Sequence, residues 1–275
     1  MVFVISTSKA QGLLDGFTPK KGEGSVTLSY TLSNYEDAYI GTNKVEDAFD
    51  TSQNIFSLYA KYGISNNVSV IFNAPYITAS GNDQPSEATF QDISLAIKVK
   101  AASLAIKGGS IDLITGFATH IPTGYETSKL LAVGNGAFGV DFISGLHLNT
   151  SVGFFSTLMA SYNMRGTNTN NPSNTSFNVP NHFALHGKIG YASSFIYAEA
   201  WASYINSERG IDIGTPAFYG NFPETNVDYS TLGITLYKNI IPQLGVSLGY
   251  GTIVDGRNIG LSTNYSVGLT YNFNK

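Results

Sequence analysis

The last stretch of the chain, residues 262–273, alternates apolar and small polar side chains almost without interruption. One set of alternate positions is apolar throughout: Tyr265, Val267, Leu269, Tyr271 and Phe273. Successive side chains of a β-strand point to opposite faces, so the pattern predicts a strand with one apolar and one polar face. Aromatic residues end the apolar face on both sides, which is typical of strands that cross a bilayer.

The same alternation recurs along most of the chain and predicts twelve strands. Most of them are near the ~9–11 residues that a tilted strand needs to cross the hydrocarbon. The predicted spans are 24–35, 53–62, 67–77, 90–100, 109–119, 136–148, 151–163, 182–191, 195–206, 226–238, 243–253 and 262–273. Strands five, nine and ten alternate less cleanly, and a β-bulge there would change which face their side chains occupy.

The lengths of the links between the predicted strands form a second pattern. Links after even-numbered strands are mostly tight, at 63–66, 149–150, 192–194 and 239–241. Links after odd-numbered strands are mostly long, at 36–52, 78–89, 120–135, 164–181 and 207–225. Two links depart from the rule, since 101–108 is long for an even link and 254–261 is short for an odd one. The asymmetry predicts short periplasmic turns, long extracellular loops and both termini at the periplasmic side.

Composition supports the same class of protein. Only 12% of the 275 residues are charged, against roughly 25% in soluble domains. No run approaches the ~18 apolar residues of a transmembrane helix. The net charge of -4 and the absence of a Lys/Arg run argue against nucleic-acid binding. The chain has no cysteine, which excludes a disulfide framework.

The chain divides into a short leader and one domain. Residues 2–5 are apolar and are followed by Ser, Ala and Gln, which predicts the remnant of a truncated signal peptide over 1–11, cut near Ala10 or Gln11. The alternative is a disordered N-terminal tail. Residues 12–275 are predicted to form a single outer-membrane β-barrel domain.

Aromatic residues at the strand ends predict two interfacial girdles. Those near the periplasmic interface are Tyr62, Phe154, Tyr191, Tyr271 and Phe273, and those near the outer interface are Tyr76, Tyr162, Phe183, Tyr204, Tyr250 and Tyr265. Tyrosine and phenylalanine favour the membrane–water boundary in barrels. The alternative is the ordinary enrichment of aromatic residues in strands.

The inward face of the predicted barrel carries the candidate functional residues. The pore-lining candidates are Lys61, Asn73, Asp92, Lys98, Asp112, Asp141, His186, Lys188 and Glu199, and Lys100 and His147 share this face. Twelve strands enclose more space than the eight that side chains can fill, and less than an open porin of 16–18 strands. Two interpretations stay open: a solute path lined by these groups, or a polar core in which they pair with one another.

Motifs for catalysis or metal binding are weak. No Gly-x-Ser-x-Gly elbow occurs, and neither His147 nor His186 has a serine two residues later, as the outer-membrane phospholipase arrangement requires. His182 and His186 share a strand face but lie about 13 Å apart, too far for one metal ion. The loop 36–52 is acidic, and we interpret it as solvated surface that repels lipopolysaccharide or bridges it through divalent ions. The alternative is a calcium site in this loop. We therefore predict no enzyme, no cofactor and no resident metal.

Five short motifs carry a family resemblance. They start at Gly16 (Gly-Phe-Thr-Pro-Lys-Lys-Gly-Glu-Gly), Ser57 (Ser-Leu-Tyr-Ala-Lys-Tyr-Gly-Ile), Asn73 (Asn-Ala-Pro-Tyr), Gln91 (Gln-Asp-Ile-Ser-Leu-Ala-Ile-Lys) and Thr119 (Thr-His-Ile-Pro-Thr-Gly). Together they resemble the family named after the MetA pathway of phenol degradation. The resemblance implies an outer-membrane barrel that acts as a channel or transporter, in some cases encoded beside aromatic-degradation pathways. It implies no catalytic residues.

The sequence thus predicts an all-β protein, a twelve-stranded antiparallel up-and-down transmembrane β-barrel in the bacterial outer membrane. Its predicted function is passive passage of small molecules, including aromatic or hydrophobic ones. The rival hypotheses are a structural or surface barrel with a plugged lumen and a membrane-embedded hydrolase. The expected partners are the lipid bilayer, lipopolysaccharide, small-molecule solutes and the barrel-assembly machinery, with no nucleic acid.

Overall fold

Twelve long antiparallel strands form a closed barrel, in which each strand pairs with its neighbours in the sequence and the first pairs with the last. The computed structural model describes residues 14–81, 84–127, 131–168, 176–194 and 196–273, so the predicted signal remnant over 1–11 lies outside the described residues. The strands are β1 (Gly24–Tyr35), β2 (Thr51–Gly63), β3 (Val68–Gly81), β4 (Ile93–Ile106), β5 (Gly109–Ile121), β6 (Gly139–Thr150), β7 (Phe154–Arg165), β8 (His182–Ala192), β9 (Ile196–Ser207), β10 (Asp228–Ile241), β11 (Leu244–Arg257) and β12 (Thr263–Phe273). The predicted fold class is confirmed.

The barrel closes where β1 pairs with β12 in an unbroken register from Gly24 opposite Phe273 to Asn34 opposite Thr263. Closure pairs the backbone groups of every barrel strand, which is what a bilayer without water demands. No helix in the described part of the chain is long and apolar enough to cross a membrane.

Strand β4 differs from its predicted span. It runs to Ile106 instead of ending at residue 100, and a bulge between Lys100 and Ala102 shifts its register against β5. The bulge interrupts the alternation, which is why the sequence pattern stopped there. The predicted long link at 101–108 is therefore wrong, and the turn comprises residues 107–108 alone. The correction makes all the even-numbered links short.

The odd-numbered links contain the additional structure. Short strands lie in them at Ala38–Ile40, Asn43–Val45, Gln84–Phe90, Thr167–Asn168 and Phe177–Asn178, with a 3₁₀ turn at Phe222–Glu224. The strand Gln84–Phe90 pairs with the upper part of β3 and extends the barrel wall above β4. The link after β11, residues 258–262, stays the shortest of this set, as the sequence predicted.

The outer surface is apolar in the middle and aromatic at both edges. Leu28 and Leu158 are 61% and 60% exposed. In a membrane barrel this exposed apolar surface is covered by lipid rather than by water. Several of the predicted girdle residues contact other aromatic rings at the two edges of this outer surface. At the periplasmic edge Tyr62 stacks on Phe273 and Phe154 meets Tyr191, and at the other edge Tyr76 meets Phe90 and Tyr250 meets Tyr265.

Candidate functional site

The N-terminal segment preceding β1 enters the barrel and occupies the periplasmic end of the lumen. We call residues 14–17 the N-terminal plug. Asp15 is 1% exposed, and its Oδ1 lies 2.7 Å from Nζ of Lys98 on β4, which is equally buried. Lys98 also donates to the backbone oxygens of Asp15 and Phe17, at 3.2 and 2.8 Å. The ammonium group is thereby surrounded by three oxygens of the plug, which compensates for its removal from water.

Aromatic packing completes the seat of the N-terminal plug. The Phe17 ring lies 4.6 Å from that of His147 and 5.1 Å from that of Phe155, both in edge-on contact. Gly16 lies flat against His147, since a Cβ there would come within 2.0 Å of the imidazole ring. Leu14 packs against the buried side chains of β5, β6 and β7. The motif beginning at Gly16 thus places a small residue where the chain must pass closest to the wall.

Two loops close the extracellular end of the lumen. In the loop 122–138, Tyr125, Leu131 and Val133 pack against Ile55 and Ile77 on the inner wall of β2 and β3. The loop 166–181 contributes Phe177 and Val179, which cluster with Ala137. Asn168 joins the two loops, because its side-chain amide donates to Thr127 at 2.8 Å and to the backbone oxygen of Asn135. This closure is mostly apolar and neutral.

A chamber of about 350 Å³ remains between the N-terminal plug and the extracellular loops. Leu14 of the plug lines one end, and Gly134 and Asn135 of the loop 122–138 line the other. Its walls come chiefly from β3 to β9. A twelve-stranded barrel is too wide for its own side chains to fill, so the chamber follows from the strand number.

Five polar residues form a ring around the extracellular half of the chamber: Ser94, His120, Asp141, Asn163 and His182. The strand register explains their position. Asp141 on β6, Asn163 on β7 and His182 on β8 are direct cross-strand partners that all point inward. One inward position nearer the periplasm, the same strands carry Ile143, Ser161 and Ala184. The chamber is therefore polar at one level and mostly apolar at the next.

Three polar side chains of the ring form a hydrogen-bonded relay. Ser94 Oγ lies 2.9 Å from His120 Nδ1, and His120 Nε2 lies 2.7 Å from Asp141 Oδ2. Ser94 and His120 are register partners on β4 and β5, and Asp141 is diagonal to His120 on β6. Adjacent and diagonal side chains on one sheet face are within reach of each other. The relay thus arises from ordinary cross-strand geometry.

Asp92 enters the chamber through an irregularity in the wall. Asn73 on β3 pairs with Ser94, whereas Tyr76 on β3 pairs with Phe90. Between these two pairs, β3 therefore has one residue fewer than the chain opposite it. The extra residue makes a bulge next to Pro75, which has no N–H for the ladder. Asp92 then accepts a hydrogen bond from the hydroxyl of Tyr125 in the loop 122–138. Burial and the neighbouring carboxylate raise the pKa of Tyr125, which keeps its hydroxyl a donor.

The structure divides the nine pore-lining candidates into two groups. Those lining the chamber are Asn73, Asp92, Asp141, His186 and Lys188. The remaining four are buried in the inner wall outside it: Lys61, Lys98, Asp112 and Glu199. Lys98 holds the N-terminal plug, Asp112 accepts from Ser103 at 2.5 Å, and Glu199 binds both Lys188, at 3.3 Å, and the hydroxyl of Tyr197, at 2.5 Å.

Sequence reasoning missed several residues of the site. Asp15 precedes the first strand, so the strand pattern gives it no role. Arg165 and Trp201 lie at positions that alternation alone does not distinguish from other inward residues. The one sequence feature that points to Asp15 is its charge, directly before the Gly-Phe-Thr-Pro motif. Among the described residues, no group of three His, Asp or Glu side chains is arranged to hold a metal ion.

Comparison with known proteins gives a fold and no sequence family. No protein-family model matches the chain, and no curated protein sequence matches it. An outer-membrane channel from Pseudomonas putida F1 matches with a TM-score of 0.79 at 14% identity, over 93% of this chain and 97% of that one. The KdgM porin, in a complex with disordered oligogalacturonate, matches with a TM-score of 0.54 at 8% identity, over 90% and 98% of the two chains.

The barrel of a protein with a different task is also similar. The translocator domain of the autotransporter NalP from Neisseria meningitidis matches with a TM-score of 0.51 at 12% identity, over 94% of this chain and 90% of that one. The chain therefore has the fold of bacterial outer-membrane barrels, and its apolar outer band agrees with that location. The resemblance to the MetA-pathway family stays a prediction. Because one fold serves several tasks, function must be argued from the lumen.

Proposed function

We propose that this protein is an outer-membrane channel through which small molecules pass passively. The observation that carries the proposal is the chamber of about 350 Å³, which the N-terminal plug bounds on the periplasmic side through noncovalent contacts with the wall. A volume of this size falls in the range of small-molecule sites. Movement of the N-terminal plug would join the chamber to the periplasm.

The mostly apolar walls of the chamber support the passage of partly hydrophobic solutes, including the aromatic compounds that the family resemblance suggests. We also propose three partners. The apolar outer surface supports contact with lipid and lipopolysaccharide, and the barrel architecture supports folding by the barrel-assembly machinery.

A planar-bilayer and liposome-swelling experiment tests the proposal. The purified full chain and a variant lacking residues 1–17 are reconstituted separately. We expect small or intermittent conductance for the full chain, and larger, steady conductance with faster solute entry for the variant. Heat-modifiable gel mobility of both proteins provides the control for folding.

A plugged structural barrel is the second candidate, favoured by the closure of both ends of the lumen. It predicts that neither protein conducts or admits solutes, and that outcome would remove the channel proposal. A hydrolase is favoured only by the relay of Ser94, His120 and Asp141. Covalent labelling of Ser94 by a fluorophosphonate, absent from a Ser94→Ala variant, would support that third candidate over a channel without enzymatic activity.

A further inference from the structure

We infer that the chamber selects an uncharged, partly apolar small molecule carrying a hydroxyl group, and that it excludes organic ions of the same size. The inference rests on the proposed channel function, because it names the class of molecule that the channel accepts. Three features of the chamber carry it: the balance of charge, the position of two buried hydrogen-bonding atoms, and the apolar wall beside them.

The charges that line the chamber are balanced and engaged. Two acidic residues, Asp92 and Asp141, and two basic residues, Arg165 and Lys188, are in its wall. Each is in contact with a polar group: Asp92 with Tyr125, Asp141 with His120, Lys188 with Glu199, and Arg165, through Nε, with Asn163. An entering ion would lose its hydration, and every possible counter-charge in the wall is already engaged with a protein group, so that the cost of desolvation is not fully offset. A neutral molecule has no such cost.

Two atoms in the polar ring make no hydrogen bond within the described residues. They are Oδ1 of Asp141 and Nδ1 of His182, both buried from solvent. Asp141 Oδ1 can only accept while the carboxylate is ionised, and His182 Nδ1 accepts or donates according to its tautomer. A hydroxyl group both donates and accepts, so it can satisfy either atom. Leaving a buried polar atom without a partner is unfavourable, so a hydroxyl-bearing molecule gains affinity at this level.

The apolar part of such a molecule has a place next to the ring. The inward positions one step towards the periplasm include Ile143, Ile205 and Tyr229, all of which line the chamber. Deeper in the chamber lies Trp201, which is 7% exposed and whose Nε1 has no acceptor among the described residues. A ligand with a polar group at the ring and a flat or branched apolar part on its periplasmic side matches this arrangement of polar and apolar wall residues.

Trp201 also provides the readout, because it is the single tryptophan of the chain. We would titrate the full chain in detergent at neutral pH with benzyl alcohol, benzoate and benzylamine, which share one ring and differ in charge. Excitation at the red edge of indole absorption isolates Trp201. We expect a saturable change with benzyl alcohol and binding at least about tenfold weaker for both ions, which corresponds to about 1.4 kcal/mol.

A matched pair of variants tests the position of the hydroxyl group. Asp141→Asn should weaken benzyl alcohol binding about fivefold, because a hydrogen bond to a charged acceptor is stronger than one to a neutral amide. Asp112→Asn makes the same change at a buried acid outside the chamber and should leave binding unchanged. Unaltered heat-modifiable mobility shows that each variant is folded. Equal weakening by both substitutions would contradict the assigned site.

Two results would overturn the inference. One is binding of benzoate or benzylamine as tight as that of benzyl alcohol. The other is the absence of saturable binding of benzyl alcohol in both fluorescence and equilibrium dialysis. Neither measurement involves transport. Binding of benzyl alcohol without conductance and without solute entry into liposomes would refute the channel and leave the inferred selectivity standing. Solute entry without discrimination between the neutral compound and the two ions would refute the selectivity and leave the channel standing.

Discussion

The two ends of the lumen are closed by chemically different means. At the periplasmic end a single buried ion pair, Asp15 with Lys98, and the ring of Phe17 hold the N-terminal plug. At the extracellular end the loop 122–138 is joined to the wall at both of its ends, and it buries Leu131 and Val133 against Ile77. One closure depends on a charge, and the other depends on apolar packing.

This difference bears on which end can open. A loop attached at both ends and packed through buried apolar side chains must lose many contacts together before it moves. The N-terminal plug is held by a short run of contacts at residues 14–17, and Asp15 and Lys98 regain hydration when it withdraws, which offsets the loss of the ion pair. The comparison therefore indicates that the periplasmic closure is the movable one and that the extracellular closure is part of the fold.

Lys98→Met should give the largest effect on this comparison. It leaves the Asp15 carboxylate buried without its counter-charge and should destabilise the docked plug by about 3–5 kcal/mol. The chain has no cysteine, so a single cysteine introduced at Leu14 reports undocking through its rate of reaction with a maleimide. We expect fast labelling and increased conductance. The double variant Asp15→Asn/Lys98→Met should recover part of the protection of the cysteine from the maleimide. If it did not, the ion pair would not be what holds the N-terminal plug.

Ile77→Ala should affect the extracellular closure without opening the channel. Ile77 is fully buried beneath the loop 122–138, and its truncation should lower the free energy of unfolding by about 2–5 kcal/mol. Unfolding by denaturant in detergent measures the loss, and conductance should remain near that of the unaltered protein. A conductance increase as large as that of Lys98→Met would mean that the two ends are equivalent.

Gly16→Ala tests the seat of the N-terminal plug by shape alone. The added methyl group would overlap the His147 ring, at a cost of about 1–3 kcal/mol, and should raise maleimide reactivity at residue 14 to a smaller degree than Lys98→Met. Gly187→Ala is the matched control, since a Cβ there meets nothing within 4 Å. If both substitutions had the same effect, the close approach of Gly16 to His147 would not matter for docking.

Alternation and link length were enough to predict the barrel, the strand number and the facing of residues such as Lys98 and Asp141, because each depends on local pattern. They failed where pattern is interrupted, at the bulge that carries β4 past Lys100. They also gave no information about segments that pack inside the barrel. The contact of Asp15 with Lys98 joins residues 83 positions apart, and no periodicity relates them. The chamber could not be predicted either, because its boundaries are set by the positions of the N-terminal plug and the extracellular loops inside the barrel.

The smallest predicted effect concerns the exposed edge of the extracellular end, where Asp212 in the loop 208–227 binds Arg257. Arg257 donates to both carboxylate oxygens at 2.7 Å, and these hydrogen bonds hold the pKa of Asp212 below its usual value. A lowered folded-state pKa means that the pair stabilises the protein above the unfolded pKa of about 3.9, and that this contribution is lost as pH falls through the folded-state pKa. Both side chains are about one-third exposed, so Asp212→Asn should cost no more than about 1 kcal/mol at pH 7. Thermal unfolding in detergent should show a small difference between the two proteins at neutral pH that vanishes near pH 2. A difference that persists in acid would mean that Asp212 acts through its neutral hydrogen bond with Asn258 instead of through its charge.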